Sequence, residues 1–215
     1  MTGIGMNFAS EPLREANIED TLYFASVEGM EKNDLRTLSV LVTWLGEHIR
    51  WVNADRLYRV VSCSNSTRVR AFWGAIAAWQ KKDRRFARML KLHTGRRIDL
   101  LRSGMEYFLN RHGEDERFQG GPLRVPANVL RYRASDVLST EDLIKRHRTY
   151  RNRVMMGPSY RADMWSALDT EPTISAAQLA RKTYGSFATA SQVKHEWKLL
   201  SGIEEKKFSG EVKTN

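Results

Sequence analysis

Residues 173–200, TISAAQLARKTYGSFATASQVKHEWKLL, carry the clearest local grammar in the chain. Ser175 followed by Gln178 has the spacing of a capping box, which opens a helix. Leu179 and Ala180 then face a core. The helix must end near Tyr184-Gly185, because glycine readily takes the positive φ that closes a helix. Ser186 caps a second helix. In it Ala190, Val193, Trp197 and Leu200 recur at helical spacing and form one apolar stripe. The opposite face offers Thr189, Ser191, Gln192, Lys194 and His195. A short helix, a Gly-containing turn and a second helix with a polar N-terminal half make the pattern of a helix-turn-helix. Ser186, Thr189, Ser191, Gln192, Lys194 and His195 are therefore candidate contacts to base edges and phosphates. Arg181 and Lys182, at the end of the first helix, are candidate phosphate ligands. The bland counterpart is a packed helical hairpin with a solvated polar face.

Upstream, residues 131–161 hold Arg131, Arg133, Lys145, Arg146, Arg148, Arg151, Arg153 and Arg161 against Asp136, Glu141 and Asp142. Arginine is favoured where planar, multi-donor contacts to phosphate matter, so Arg151, Arg153 and Arg161 join the candidate contacts. Tyr132, Tyr150 and Tyr160 are interleaved with them. Ser139 opens a helix that the pattern carries to about Asn152, and another is expected over Tyr160–Leu168. For any single arginine, a solvated helix face is the competing reading.

Charge supports an anionic partner. The chain has a net charge of +10. Residues 1–50 hold four Lys/Arg and eight Asp/Glu, a net of −4, whereas residues 51–215 hold 31 and 17, a net of +14. Nucleic acid is the commonest partner for such asymmetry. A second basic run, Lys81-Lys82-Asp83-Arg84-Arg85 with Arg88, Lys91, Arg96 and Arg97, suits either phosphate or an acidic protein surface.

The N-terminal half reads as helical. Residues 1–30 form an arm with a short acidic helix around Glu15–Ser26. Asn33 can cap a helix bearing Leu35, Leu38, Val42, Leu45 and Ile49. Asn53 caps a short helix over Ala54–Val61. Ser66 or Thr67 caps one with Val69, Phe72, Trp73, Ile76 and Trp79 on one face, more apolar bulk than one face usually needs. That excess implies association with another chain, a second copy included. Phe86, Met89 and Leu90 continue a helical pattern, and Ile98, Leu101, Met105, Phe108 and Leu109 form another helix, stopped at Gly113. Gly120, Gly121, Pro122 and Pro126 cluster in 112–126, which places a domain boundary there, with one short strand at Leu123-Arg124-Val125. The expected fold is mainly α: a helical domain over 1–112, for dimerisation or partner binding, and an Arg-rich helix-turn-helix domain, plain or winged, over 127–215.

Other chemistries find no support. With 41% hydrophobic residues the chain can bury a core, and its single cysteine, Cys63, fits a reducing compartment. No signal-peptide pattern opens it and no stretch approaches a membrane span. The expected location is the cytoplasm. His48, His93, His112, His147 and His195 show no metal-binding spacing, no phosphate-cradling Gly-rich loop occurs, and Cys63 has no partner thiol or histidine. The pattern points away from an enzyme, a metal or a cofactor.

Gly157-Pro158-Ser159-Tyr160-Arg161-Ala162-Asp163-Met164-Trp165, with Leu179-Ala180-Arg181 and Tyr184-Gly185-Ser186-Phe187-Ala188-Thr189-Ala190, resembles AbiEi-like antitoxins of abortive-infection toxin–antitoxin pairs. The resemblance covers about the last 60 residues. It implies a winged-helix repressor of its own operon, with double-stranded DNA and a nucleotidyltransferase toxin as partners. In that family the helix-turn-helix stands near the N-terminus, whereas here it lies at 173–200. The alternative class is a protein–protein interaction module that neutralises a toxin without touching nucleic acid.

Overall fold

A computed structural model describes residues 1–9, 11 and 16–209, of which 203–209 are described as helical backbone alone. The chain is mainly helical and divides into two compact units, Met1–His147 and Arg148–Asn215.

In the first unit, the opening residues are core rather than arm. A 3₁₀ turn at Thr2–Ile4 buries Ile4, whose carbonyl accepts the Trp44 indole N–H at 2.8 Å. Asn7 donates to the Asp136 carbonyl and Gly5 accepts from Leu138, which pins the arm to a distant loop. Helix α1 spans Ile18–Glu31 and is capped by Asn17. It starts later and runs further than the expected segment, of which Glu15 lies outside the described residues. Helix α2, Leu35–His48, is capped by Asp34 rather than Asn33. Asn33 instead takes φ 58°, turning the chain between the two helices. Asparagine tolerates that left-handed region better than most residues, because its short amide can bond locally.

Helix α3 (Ala54–Ser62) and helix α4 (Thr67–Trp79) are capped by Asn53 and Ser66, as their sequences imply. Val69, Phe72, Trp73 and Ile76 of α4 are all fully buried inside this unit. Trp73 donates its indole N–H to Ser26 Oγ at 3.0 Å. Most of the apolar bulk on this face is thus consumed by α1 and its neighbours, while Trp79, the last residue of the face, is only half-buried. Arg84–Leu92 is a 3₁₀ helix, not an α-helix. At three residues per turn Phe86 and Met89 fall on one edge, and both are buried while Leu90 is exposed.

The largest departure lies between 98 and 126. Ile98–Asp99 is a strand, β1, in place of the expected helix start, and it pairs in parallel with β2, Leu123–Arg124. Helix α5 follows at Met105–His112. Phe118, Leu123, Val125 and Leu130 are buried, and Arg97 spans to Glu114 and to the Gly121, Phe118 and Leu123 carbonyls. The Gly/Pro cluster is therefore an ordered return into the first unit, and the division of the chain falls at 147/148 instead of in 112–126. Helix α6, Thr140–Arg146, ends at His147, which is extended and buried and whose imidazole Nε2 lies 2.8 Å from the Ala16 carbonyl oxygen. The expected single helix from Ser139 to Asn152 is thus two.

The second unit holds α7 (Arg148–Met156), α8 (Tyr160–Thr170), α9 (Ala176–Thr183) and α10 (Phe187–Ser209). Its core gathers Met164, Leu168, Ile174, Leu179, Ala190 and Val193 from α8, α9, α10 and the α8–α9 connection. Both strands among the described residues lie in the first unit, and the described residues of the second include none.

Candidate nucleic-acid interface

The α9–α10 pair is built as its residues dictate. Ser175 Oγ accepts the Gln178 N–H at 3.2 Å and Gln178 Oε1 accepts the Ser175 N–H at 3.1 Å, a complete capping box. Leu179 and Ala180 are buried. The helix closes with Tyr184, not Gly185, in the left-handed region, at φ 59°. The Gly185 N–H reaches back to the Ala180 carbonyl at 3.0 Å. At 185 glycine leaves room for the core: a Cβ there would stand 2.3 Å from Met164 Cε, so the end of that flexible side chain would have to move. Ser186 then accepts the Thr189 N–H at 3.0 Å and starts α10.

Ala190 and Val193 point into the core, and Trp197 packs against it half-buried, its indole N–H 3.4 Å from Asp169. Leu200, the expected end of the stripe, is exposed. The opposite face presents Ala188, Ser191, Gln192 and His195, all exposed. Of the predicted polar face, Ser191, Gln192 and His195 are thus exposed, while Thr189 and Lys194 are half-buried, with the Thr189 hydroxyl 2.8 Å from Ser186.

The cations are distributed less favourably. Arg153 is fully buried and gives two hydrogen bonds to the Asp163 carboxylate, at 2.7 and 2.9 Å. It locks α7 to α8 and is no phosphate ligand. Its helical phase shows why: it lies one turn from the buried Tyr150, which likewise is unavailable for stacking. Lys194 donates to the Ile174 carbonyl. Lys182 pairs with Glu171 at 2.6 Å and Arg161 with Glu196 at 2.5 Å. Arg161 and Gln192, both bonded to Glu196, hold its carboxyl below the ordinary range. Exposed pairs such as those of Lys182 and Arg161 contribute little to stability and can yield to a phosphate; the buried Arg153 pair cannot. Arg151 and Arg181 are exposed, with no carboxylate partner among the described residues.

Two exposed aromatics flank the turn, Tyr184 and Phe187. Phe187 stands three residues before Ala190, at the spacing of the Ala190–Val193–Trp197 stripe, and is nevertheless exposed. Charge also falls differently once the units are known. The second unit carries 11 Lys/Arg and seven Asp/Glu, a net of +4, and the first carries 24 and 18, a net of +6. In the first unit Arg85 is tied to Asp83, and Arg88 lies over the Tyr58 ring at 4.2 Å, 3.6 Å from Asp55. Lys81, Lys82, Arg84, Lys91 and Arg96 are exposed, with no carboxylate partner among the described residues.

Among the described residues no three His, Cys, Asp or Glu side chains gather as a metal site, and no helix is long and apolar enough to cross a membrane. The chain matches no protein-family model, and no curated protein and no solved structure shows significant similarity to it.

Proposed function

We propose that the chain binds double-stranded DNA through α10 and acts as a transcription regulator. One observation carries this reading. The N-terminal half of α10 presents Ala188, Ser191, Gln192 and His195 as an exposed face of small and polar groups, just after a capped turn. Its one carboxylate, Glu196, is occupied by Arg161 and Gln192. Small polar groups at a helix start suit the major groove, where Gln pairs bidentately with adenine. Arg181 and Arg151 supply unpaired charge for the backbone. The resemblance to AbiEi-like antitoxins adds the regulatory context: a cytoplasmic repressor of its own operon that also binds a nucleotidyltransferase toxin. Fluorescence anisotropy with duplex DNA at about 50 mM salt tests the reading, since phosphate-dominated binding is strong there and weakens steeply as salt rises. Micromolar or tighter binding supports it; no binding overturns it.

A protein–protein role is favoured by a different observation, the exposure of Tyr184, Phe187, Leu199 and Leu200 on and beside α10. On that reading a partner covers these groups, Phe187→Ser abolishes complex formation with the toxin, and DNA affinity is absent at every salt concentration.

A further inference from the structure

Away from α10, the first unit contains a cleft of about 520 Å³. Three stretches distant in sequence converge on it: the α1–α2 corner, the segment leading into α5, and the loop after β2. Four arginines line it, Arg36, Arg102, Arg131 and Arg133, and no carboxylate is among the lining residues. Carboxylates stand only at its margin. Glu31 lies 3.9 Å from Arg102, and Asp136 lies 3.4 Å from Arg133. Arg36 forms no salt bridge among the described residues, although Asp34 is close enough to attract it and its guanidinium lies 5.9 Å from the Phe8 ring centroid; Arg131 makes only a long contact, 3.4 Å, to the Asn128 carbonyl. The Arg133 Nε is buried without a hydrogen-bond partner.

Two further features mark the cleft as built. Three non-glycine residues in the chain have positive φ among those described, and two of them, Asn33 at 58° and Asn128 at 65°, are on its wall. The remaining wall is mixed, with Ser39 and Ser103 beside Leu35, Leu101, Val129 and the partly exposed ring of Phe108. Like charges brought together around a cavity repel one another, and an anion between them removes that cost. The volume lies in the range of small-ligand sites, roughly 300–1,000 Å³, and far exceeds what one phosphate fills.

We propose that this cleft binds a nucleoside polyphosphate, with phosphates among the four guanidinium groups and the base against Phe108. Arginine suits phosphate through its planar fork, and a base stacks on an aromatic face irrespective of its identity. The site is independent of α10, so the proposal survives or fails apart from the DNA-binding reading.

Isothermal titration of the full-length chain with ATP, inorganic pyrophosphate and adenosine at about 100 mM salt tests it. ATP is expected to bind more tightly than either fragment. Arg131→Gln and Arg36→Gln, both exposed positions at which the fold should persist, are each expected to weaken ATP by roughly tenfold or more. Phe108→Leu is expected to weaken ATP and leave pyrophosphate unchanged. Lys198→Gln, an exposed position in the other unit, is expected to change nothing. Absence of ATP binding to the folded chain overturns the proposal. So does an equal loss on Lys198→Gln, which signals diffuse charge attraction. Pyrophosphate binding as tight as ATP, or ATP affinity unmoved by Phe108→Leu, overturns the assignment of a nucleoside.

Discussion

The Arg153 guanidinium and the Asp163 carboxylate meet at 2.7 and 2.9 Å with both side chains withdrawn from water. Removing one partner strands a charge in the core. Asp163→Ala is therefore expected to destabilise the chain by about 3–5 kcal/mol in urea melts. Arg153→Met with Asp163→Leu removes both charges at similar volume, and that double variant should be much closer to wild type. A second buried ionisable group gives the chain a pH dependence. His48 is buried, with its Nε2 3.0 Å from the Leu138 carbonyl oxygen. Desolvation is the largest influence and holds its pKa below the ordinary value of 6.5, although the Leu138 carbonyl favours the charged form. The folded state thus resists a proton that the unfolded state accepts. Above 6.5 both states are neutral and the group contributes no slope; as pH falls below 6.5 the unfolded state gains the proton and stability is lost. Melts between pH 8 and pH 5 are expected to show that loss, and His48→Gln should reduce its steepness. An unchanged slope in the variant assigns the loss to other groups. Neither fate was legible in the sequence. An arginine in an Arg-rich run and a histidine at a helix end look solvated until tertiary neighbours supply the partner.

Helix caps were the most legible elements, because a cap is a local bargain between one side chain and a backbone N–H two or three residues on. Asn53, Ser66, Ser139, Ser175 and Ser186 all accept such bonds. Features set by distant contacts were not legible. Ile98 begins a strand because Leu123 pairs beside it, and the helix after Ser139 breaks at His147, whose ring lies against the Ala16 carbonyl. The approach of α1 to α2 is also of this kind. A Cβ on Gly29 would stand 2.3 Å from Leu38 Cγ and 2.4 Å from its Cδ2, so glycine is what lets the two helices close. Gly29→Ala gains about 1 kcal/mol of helix propensity. It also forces a buried leucine aside, which costs about 1–3 kcal/mol. Net destabilisation is expected in a thermal melt. Leu38→Ala should open a cavity alone, yet the pair should cost less than the two single variants together, because the new methyl enters the vacated space. Strict additivity of the pair would show that the helices do not meet through these residues.

At the scale of the whole chain, its mainly helical class followed from periodicity, but the partition of its charge did not. Residues 51–215 carry +14, and the division at 147/148 assigns +10 of that to 51–147 and +4 to the unit that holds α10. Strong charge therefore does not coincide with the helix proposed to read bases. Phosphate attraction and base discrimination act through different groups and respond to different changes. The exposed Lys81, Lys82 and Arg84 have no carboxylate partner among the described residues, so each is free to displace a counterion. Their joint replacement by Gln is expected to lower affinity for every duplex about equally. If all three contact phosphate, the dependence of log K on log salt should become shallower by up to about three. Gln192→Ala should do the opposite. It removes no charge, so the salt slope stays, but it relaxes preference at one base position by roughly 1–3 kcal/mol. Lys194 gives a sharper contrast with its sequence reading. Its ammonium is engaged by the Ile174 carbonyl, so Lys194→Ala should alter the fold of the second unit more than the salt slope. Anisotropy titrations from 50 to 300 mM salt, with selected and scrambled duplexes, separate these outcomes. If Gln192→Ala leaves preference intact while the triple variant abolishes binding, α10 is not the reader and the basic segment 81–96 carries the interaction.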